Sequence, residues 1–264
     1  MSDAMTNEQA ALWLDDMHTR LARFEALPEK LTPDSIASAY AVQGAFVRRM
    51  QMRGLKALGA KIALSSPQMQ EMVGIDHPVG GAIIGADLQH SPARIRASQL
   101  GRVCIECEVA VRLGKPLAAG EGPFSEEAIR ESIDACAAAF EIADDRNADY
   151  TKLDAFNLIA DNAWNAGIVL GEIVTEFDPA TLADATAVLM VNGEKVGEGK
   201  GSDALGHPFN SLRVLADEMT THGRTLNAGD WILTGTVIQT HFPDVGASLT
   251  YSHSVLGDVS AEIV

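Results

Sequence analysis

Glu106 and Glu108 sit one residue apart in Cys104-Ile105-Glu106-Cys107-Glu108-Val109-Ala110-Val111-Arg112-Leu113, an apolar, β-branched stretch that reads as a strand. Side chains alternate faces along a strand. The two carboxylates therefore point the same way, roughly 7 Å apart, while Ile105, Cys107 and Val109 point to the other face and read as core. Adjacent carboxylates on an apolar strand repel each other and lose hydration, a cost that a cation between them would relieve. A solvated strand face with two surface glutamates fits the same pattern, so spacing alone leaves both readings open.

Other residues could join them. Glu141 is an acid flanked by apolar residues in Phe140-Glu141-Ile142-Ala143. Lys61 opens Lys61-Ile62-Ala63-Leu64, a short strand pattern in which a strand-edge charge is the ordinary fate of a lysine. Asp161 and Asn162 end the apolar approach Leu158-Ile159-Ala160. Cys104 and Cys107 spell CxxC, but their odd separation puts them on opposite strand faces, a poor arrangement for redox or zinc chemistry. Cys136 lies in an alanine-rich helical pattern and reads as core.

The elements that must position these groups begin with two helices. Asn7 can cap a segment carrying Ala11, Leu14, Met17, Leu21 and Phe24 at helical spacing. Thr32-Pro33-Asp34 has the composition of a second helix start, and Gly54 ends that helix. Ser65-Ser66-Pro67 caps a short helix from Gln68 to Val73. Ser125-Glu126-Glu127 opens a helix expected to run to about Ala138. Asn192-Gly193 marks a hairpin after the strand Ala187 to Val191, and Pro208 to Thr221 is a helix. His207, just before it, reads as a cap. Helices first and a β-rich body afterwards make an α+β chain, not an alternating βαβ one. The expected division is an N-terminal helical segment, 1–58, packed on a β-rich domain, 59–264.

A length of 264 residues with 47% hydrophobic and 21% charged residues is ordinary for a soluble globular protein. The net charge of −16 argues against nucleic acid or an anionic membrane as partner, since either needs a basic surface. Three sparse cysteines and the absence of signal-peptide character after Met1 suit a reducing cytoplasm.

The motifs in order carry a resemblance. Gly59-Ala60-Lys61-Ile62-Ala63-Leu64-Ser65-Ser66, Glu106-Cys107-Glu108, Phe140-Glu141-Ile142-Ala143-Asp144-Asp145-Arg146 and Ile159-Ala160-Asp161-Asn162-Ala163 are followed by Leu205-Gly206-His207-Pro208 and Ala228-Gly229-Asp230-Trp231-Ile232-Leu233-Thr234-Gly235-Thr236. This set resembles the hydratase and decarboxylase branch of the fumarylacetoacetate hydrolase superfamily, typified by 2-keto-4-pentenoate hydratase. The resemblance implies a twisted β-rich roll around a divalent cation, Mg²⁺ with Mn²⁺ as alternative, held by Glu106, Glu108 and Glu141. Hard oxygen ligands suit such a cation and leave positions for a 2-oxo or 2-hydroxy dienoic acid. It also implies Lys61 as the catalytic lysine, stabilising the dienolate or relaying a proton. Ser65, Ser66, Thr234 and Thr236 could donate to the substrate carboxylate, or could cap and turn the backbone. Asp161 and Asn162 could touch substrate or brace the metal site.

Two departures bear on the substrate. Val79 stands where the better-known hydratases have an acid, and Trp164-Asn165 stands where they have small residues. Asp76, His77 or a metal-bound water would then have to handle water. The leading expectation is hydration of a 2-hydroxy-2,4-dienoate to a 4-hydroxy-2-oxo acid in aromatic catabolism, because Val79, Gly80 and Trp164 supply no cation for a distal carboxylate. Decarboxylation of a 2-oxo-3-hexenedioate is the enzymatic rival, and an inactive metal-binding partner subunit is the rival of another class. The family further implies a homo-oligomer and leaves room for a complex with a neighbouring pathway enzyme.

Overall fold

The computed structural model describes residues 3–264. The helices α1 (Asp3–Thr19) and α2 (Ile36–Met52) come first and pack against each other. Asn7 does not cap α1 but lies inside it, and Phe24 falls beyond its end. The second start comes at Ser35 instead of Thr32. The Ser35 hydroxyl accepts from the Ser38 N–H at 3.2 Å, and Ser38 Oγ accepts from the Ser35 N–H at 3.0 Å. That exchange satisfies two donors at the helix end. Thr32 has no such role, because its hydroxyl donates to the Leu27 carbonyl at 2.9 Å.

The body follows as β1 (Lys56–Ala63), α3 (Pro67–Val73), β2 (Val79–Gly85), β3 (Gln89–His90), β4 (Ala93–Ile95), β5 (Val103–Leu113) and α4 (Glu126–Ser132). Then come β6 (Ile133–Asp144), α5 (Ala155–Ala160), β7 (Asn165–Leu170), β8 (Thr186–Val191), β9 (Glu194–Lys200), α6 (Pro208–Thr221), β10 (Trp231–His241), β11 (Ser248–His253) and β12 (Gly257–Ile263). A seven-stranded sheet runs β2-β1-β10-β5-β6-β7-β3, and a five-stranded one runs β4-β12-β11-β8-β9. The β8–β9 hairpin turns at Asn192 (φ 51°) and Gly193 (φ 82°), the left-handed pair that the sequence signals. His207 caps α6, its Nδ1 accepting from the Phe209 N–H at 3.0 Å.

The alanine-rich stretch departs from expectation. The helix expected to reach Ala138 ends at Ser132, and Cys136 lies on a strand. Alanine is the best helix former, but tertiary packing overrides a propensity worth only tenths of a kcal/mol per residue (~0.5). The stretch pairs antiparallel with β5, Val109 opposite Ala138 and Ala110 opposite Ala137. Ala135, Ala137 and Ala139 pack with Ala110, Ile83, Ile168, Leu170 and Leu233 on the inner face of the larger sheet. Cys136, Ala138 and Phe140 face the main core on its other side.

The larger sheet curls until β2 and β7 lie side by side, and there side chains replace a backbone ladder. The Asn162 amide accepts from the Ala82 N–H at 2.7 Å and donates to the Ala82 carbonyl at 2.8 Å. Asn165 Oδ1 accepts from the Ile84 N–H at 3.0 Å. The result is a twisted roll. The helices α1 and α2 cover it through a separate apolar cluster that includes Phe46, Ala82, Ile84 and Ala160. No helix among the described residues is long and apolar enough to cross a membrane.

Candidate metal centre

Glu106 and Glu108 point to the inside of the roll from β5, and Glu141 is the direct cross-strand partner of Glu106 on β6. One carboxylate oxygen from each of the three lies within 4.8 Å of the other two. Lys61 reaches the same point from β1, its Nζ 3.1 Å from Glu141 Oε1. It is not an exposed edge lysine but is 4% exposed, and Glu108 and Glu141 are fully buried. Cys107 and Val109 fill the core on the opposite face of β5, as alternation requires.

Each carboxylate accepts from one uncharged donor, and Glu141 from Lys61 as well. The Gly235 N–H donates to Glu108 Oε2 at 2.7 Å, Asn165 Nδ2 to Glu141 Oε1 at 3.0 Å, and Thr240 Oγ1 to Glu106 Oε1 at 2.6 Å. The remaining oxygens of the two buried acids, Glu108 Oε1 and Glu141 Oε2, have no hydrogen-bond partner among the described residues. Buried acceptors left this way are costly, and a hard dication is the partner that would satisfy both at once. The donor set therefore fits a divalent cation with oxygen preference.

The electrostatics agree. Burial, reinforced by Glu141 and Glu106, pushes the Glu108 carboxyl well above the usual range against the pull of Lys61 and the Gly235 N–H. Burial also pushes Glu141 up to about 7, although Lys61 and Asn165 oppose it. For Lys61, burial acts to lower the pKa, but Glu141, Glu106 and Glu108 outweigh it and hold the ammonium above its ordinary value. The lysine stays charged beside the acids.

Other expected site residues have their polar atoms engaged by the backbone. Thr234 Oγ1 donates to the Val109 carbonyl at 2.7 Å, and Thr236 Oγ1 lies 2.5 Å from the Ile238 carbonyl. Ser66 caps α3 by accepting from the Met69 N–H at 3.3 Å. Ser65 differs. It is half-buried, and its Oγ lies 3.3 Å from the point a Cβ on Gly235 would occupy, so it borders the Glu108 donor. Gly235 itself takes φ +98°, which a side chain would strain.

Asp161 and Asn162 bond groups other than the three carboxylates. Asp161 is buried between Arg146 Nη2 and His18 Nε2, the latter at 2.7 Å, and Asn162 holds the β2 seam. Asn162, Ala163 and Trp164 then take φ of 55°, 45° and 61° in succession. Left-handed backbone costs a non-glycine residue about 1–2 kcal/mol, and the bonds of Asp161 and Asn162 help hold the turn. The turn delivers Asn165 to Glu141. Asn165, Thr240 and the Gly235 N–H are the functional groups sequence reasoning missed. The Asn165 position was visible only as a departure from small residues.

The family model described as fumarylacetoacetate (FAA) hydrolase C-terminal matches residues 82–264. A 4-oxalocrotonate decarboxylase of Pseudomonas putida is 29% identical over 97% of this chain and 94% of its own length. A 2-keto-4-pentenoate hydratase of Burkholderia vietnamiensis strain G4 is 32% identical over 75% of this chain and 74% of its own. The solved 4-oxalocrotonate decarboxylase from Pseudomonas putida G7, complexed with magnesium and adipate, superimposes with a TM-score of 0.89 at 26% identity, covering 98% of this chain and 97% of that one. Shared topology, the family model and relatives covering 75% to 97% of the chain lead to one assignment: the protein belongs to the fumarylacetoacetate hydrolase family, in the branch that holds pentenoate hydratases and oxalocrotonate decarboxylases.

Proposed function

We propose that Glu106, Glu108 and Glu141 hold Mg²⁺, or Mn²⁺ in its place, and that the protein decarboxylates a 2-oxo-enedioate of the 4-oxalocrotonate type. The carrying observation is the set of groups that touch the three carboxylates. Among the described residues Lys61 is the one charged group touching them; the others are the uncharged Asn165, Thr240 and Gly235 N–H. Of the candidates for handling water, the Asp76 side chain is fully exposed and bonded to His77 at 3.0 Å, which leaves a metal-bound water with Lys61 as its one charged neighbour; Val79 is buried and offers no acid.

One mobile proton suits decarboxylation better than hydration. In decarboxylation the C5–C6 bond breaks, its electrons pass through the C3–C4 double bond to the C2 oxygen, and CO₂ leaves. A single proton then returns to that oxygen, and Lys61 is placed to hydrogen-bond the developing charge and supply it. When bound, the cation supplies Lewis-acid polarisation of the C2 oxygen. Hydration of a 2-hydroxy-2,4-dienoate needs more transfers: off the C2 hydroxyl, onto C5, off the attacking water at C4, and onto C3. Asn165 holds Glu141 Oε1 and leaves Oε2 without a partner among the described residues, and Asn165→Ala is expected to weaken Mg²⁺ binding about 10-fold. Calorimetry returning the wild-type affinity would confine Asn165 to the seam.

The hydratase reading keeps a specific support. Val79 and Trp164 are buried and uncharged, and neither offers a cation to a second carboxylate. Product analysis separates the two. The purified protein with Mg²⁺ in ¹⁸O-labelled water is expected to release CO₂ from 2-oxo-3-hexenedioate and to leave no label at C4. A labelled 4-hydroxy-2-oxo acid formed from 2-hydroxypenta-2,4-dienoate without CO₂ would establish hydration instead. Turnover of neither substrate would leave an inactive metal-binding partner subunit as the reading.

A further inference from the structure

On the outer side of the roll, a cavity of about 380 Å³ opens beside α1, α2 and the turn after α6. Tyr40, Gly44, Arg48, His222 and Arg224 line it, with Glu8 at the rim. Arg224 is half-buried, and no carboxylate reaches its guanidinium among the described residues. Its partner is the neutral Gln43, whose Oε1 accepts from Nη1 at 2.5 Å. Gln43 is itself fully buried and locked, its amide donating to the Gly80 carbonyl at 2.9 Å and the Ile159 carbonyl at 2.8 Å. The guanidinium is thus held in place before any ligand arrives, which lowers the ordering cost of binding.

A second arginine converges on the same point. Arg48 Nη1 and Arg224 Nη2 lie 3.6 and 3.7 Å from where a Cβ on Gly44 would stand. Gly44 is in the interior of α2, where glycine costs about 1 kcal/mol relative to alanine. Its bare backbone floors the cavity. Two nearby acids do not neutralise the pair. Glu8 bonds Arg48 Nη2 at 3.0 Å, but both side chains are more than half exposed, so that ion pair is weak. Glu218 lies beside His222, with Nε2 3.4 Å from its Oε1. Tyr40 stacks on that imidazole at 4.3 Å, forming an aromatic wall. In a chain with a net charge of −16, two converging guanidiniums with no carboxylate between them are an anion site by chemistry.

We propose that this cavity binds a small dianion, phosphate or a short dicarboxylate, between Arg48 and Arg224. The test is calorimetry on the full-length protein in Mg²⁺-containing buffer, titrated with inorganic phosphate and separately with succinate. Saturable one-to-one binding of at least one is expected, weakened about 10-fold or more by Arg48→Met and by Arg224→Met, as loss of a charge-assisted partner implies. Arg224→Lys should keep part of it. Glu108→Gln should leave it unchanged, because that residue belongs to the metal centre. Preference for phosphate would point to a phosphorylated metabolite, and preference for succinate to a dicarboxylic one. If Arg224→Met proves unfolded by circular dichroism, the exposed Arg48 carries the test. Absence of saturable binding by both anions, binding that survives loss of Arg48, or binding that disappears with Glu108→Gln would each overturn the proposal.

Discussion

Lys61→Met is expected to cut turnover about 10²–10³-fold, the usual cost of removing one donor aimed at a developing oxyanion. Mg²⁺ affinity should stay the same or rise. The ammonium sits 3.1 Å from Glu141 and would oppose a dication in the same space, so its loss removes repulsion as well as the proposed catalytic donor. Steady-state kinetics and calorimetry on one preparation separate the two effects. Full activity in Lys61→Met would make the lysine a structural counter-ion to the carboxylates. A parallel collapse of metal affinity and rate would mean that the lysine assembles the centre and has no part in the reaction.

Glu108→Gln should show the second large effect, with opposite signs in the loaded and metal-free protein. With metal, the neutral amide offers a hard cation less field, and Mg²⁺ affinity should fall about 10–100-fold. Without metal, the same change should stabilise the fold at alkaline pH. Burial raises the Glu108 pKa in the folded state above its unfolded value, so the folded state holds the proton more tightly. The wild-type protein then loses stability as pH climbs out of the ordinary carboxylate range toward the raised folded pKa. The amide of the Glu108→Gln variant does not titrate and carries no such penalty. Thermal melts in chelator at pH 5 and pH 8 should show the variant's advantage only at the higher pH. Equal melting points at both, with unchanged Mg²⁺ affinity, would remove Glu108 from the site.

The centre was legible where chemistry follows strand alternation. Glu106 and Glu108 share a face because they are two residues apart, and the ordered motifs added Glu141 and Lys61 from strands that spacing could not connect. The residues that aim these groups were hidden for a physical reason. Between Leu233 and His241 the pairing of β10 with β5 shifts register three times, so no period brings Thr240 to Glu106. Asn165 arrives through three left-handed non-glycine residues, a conformation no propensity anticipates. In the fold, the hairpin at Asn192-Gly193 and the caps at Ser66 and His207 were readable because local chemistry decides them. The stretch Ala135–Ala139 was not. Its preference for helix is real, and only its neighbours in the roll overrule it.

The pairing of three carboxylates with one ammonium also bears on the order of loading. Burial raises Glu108 and Glu141 in the metal-free protein, so the pocket holds protons where a cation would sit, and a metal that binds there must displace them. An oxo acid arriving first would bring more negative charge into that space and find one cationic group, already engaged by Glu141. A dication arriving first would compensate the carboxylates, and the same acid would then meet a cation in place of them. If Glu106, Glu108 and Glu141 hold the metal as proposed, chelation is expected to strip the protein of its affinity for substrate as well as its activity.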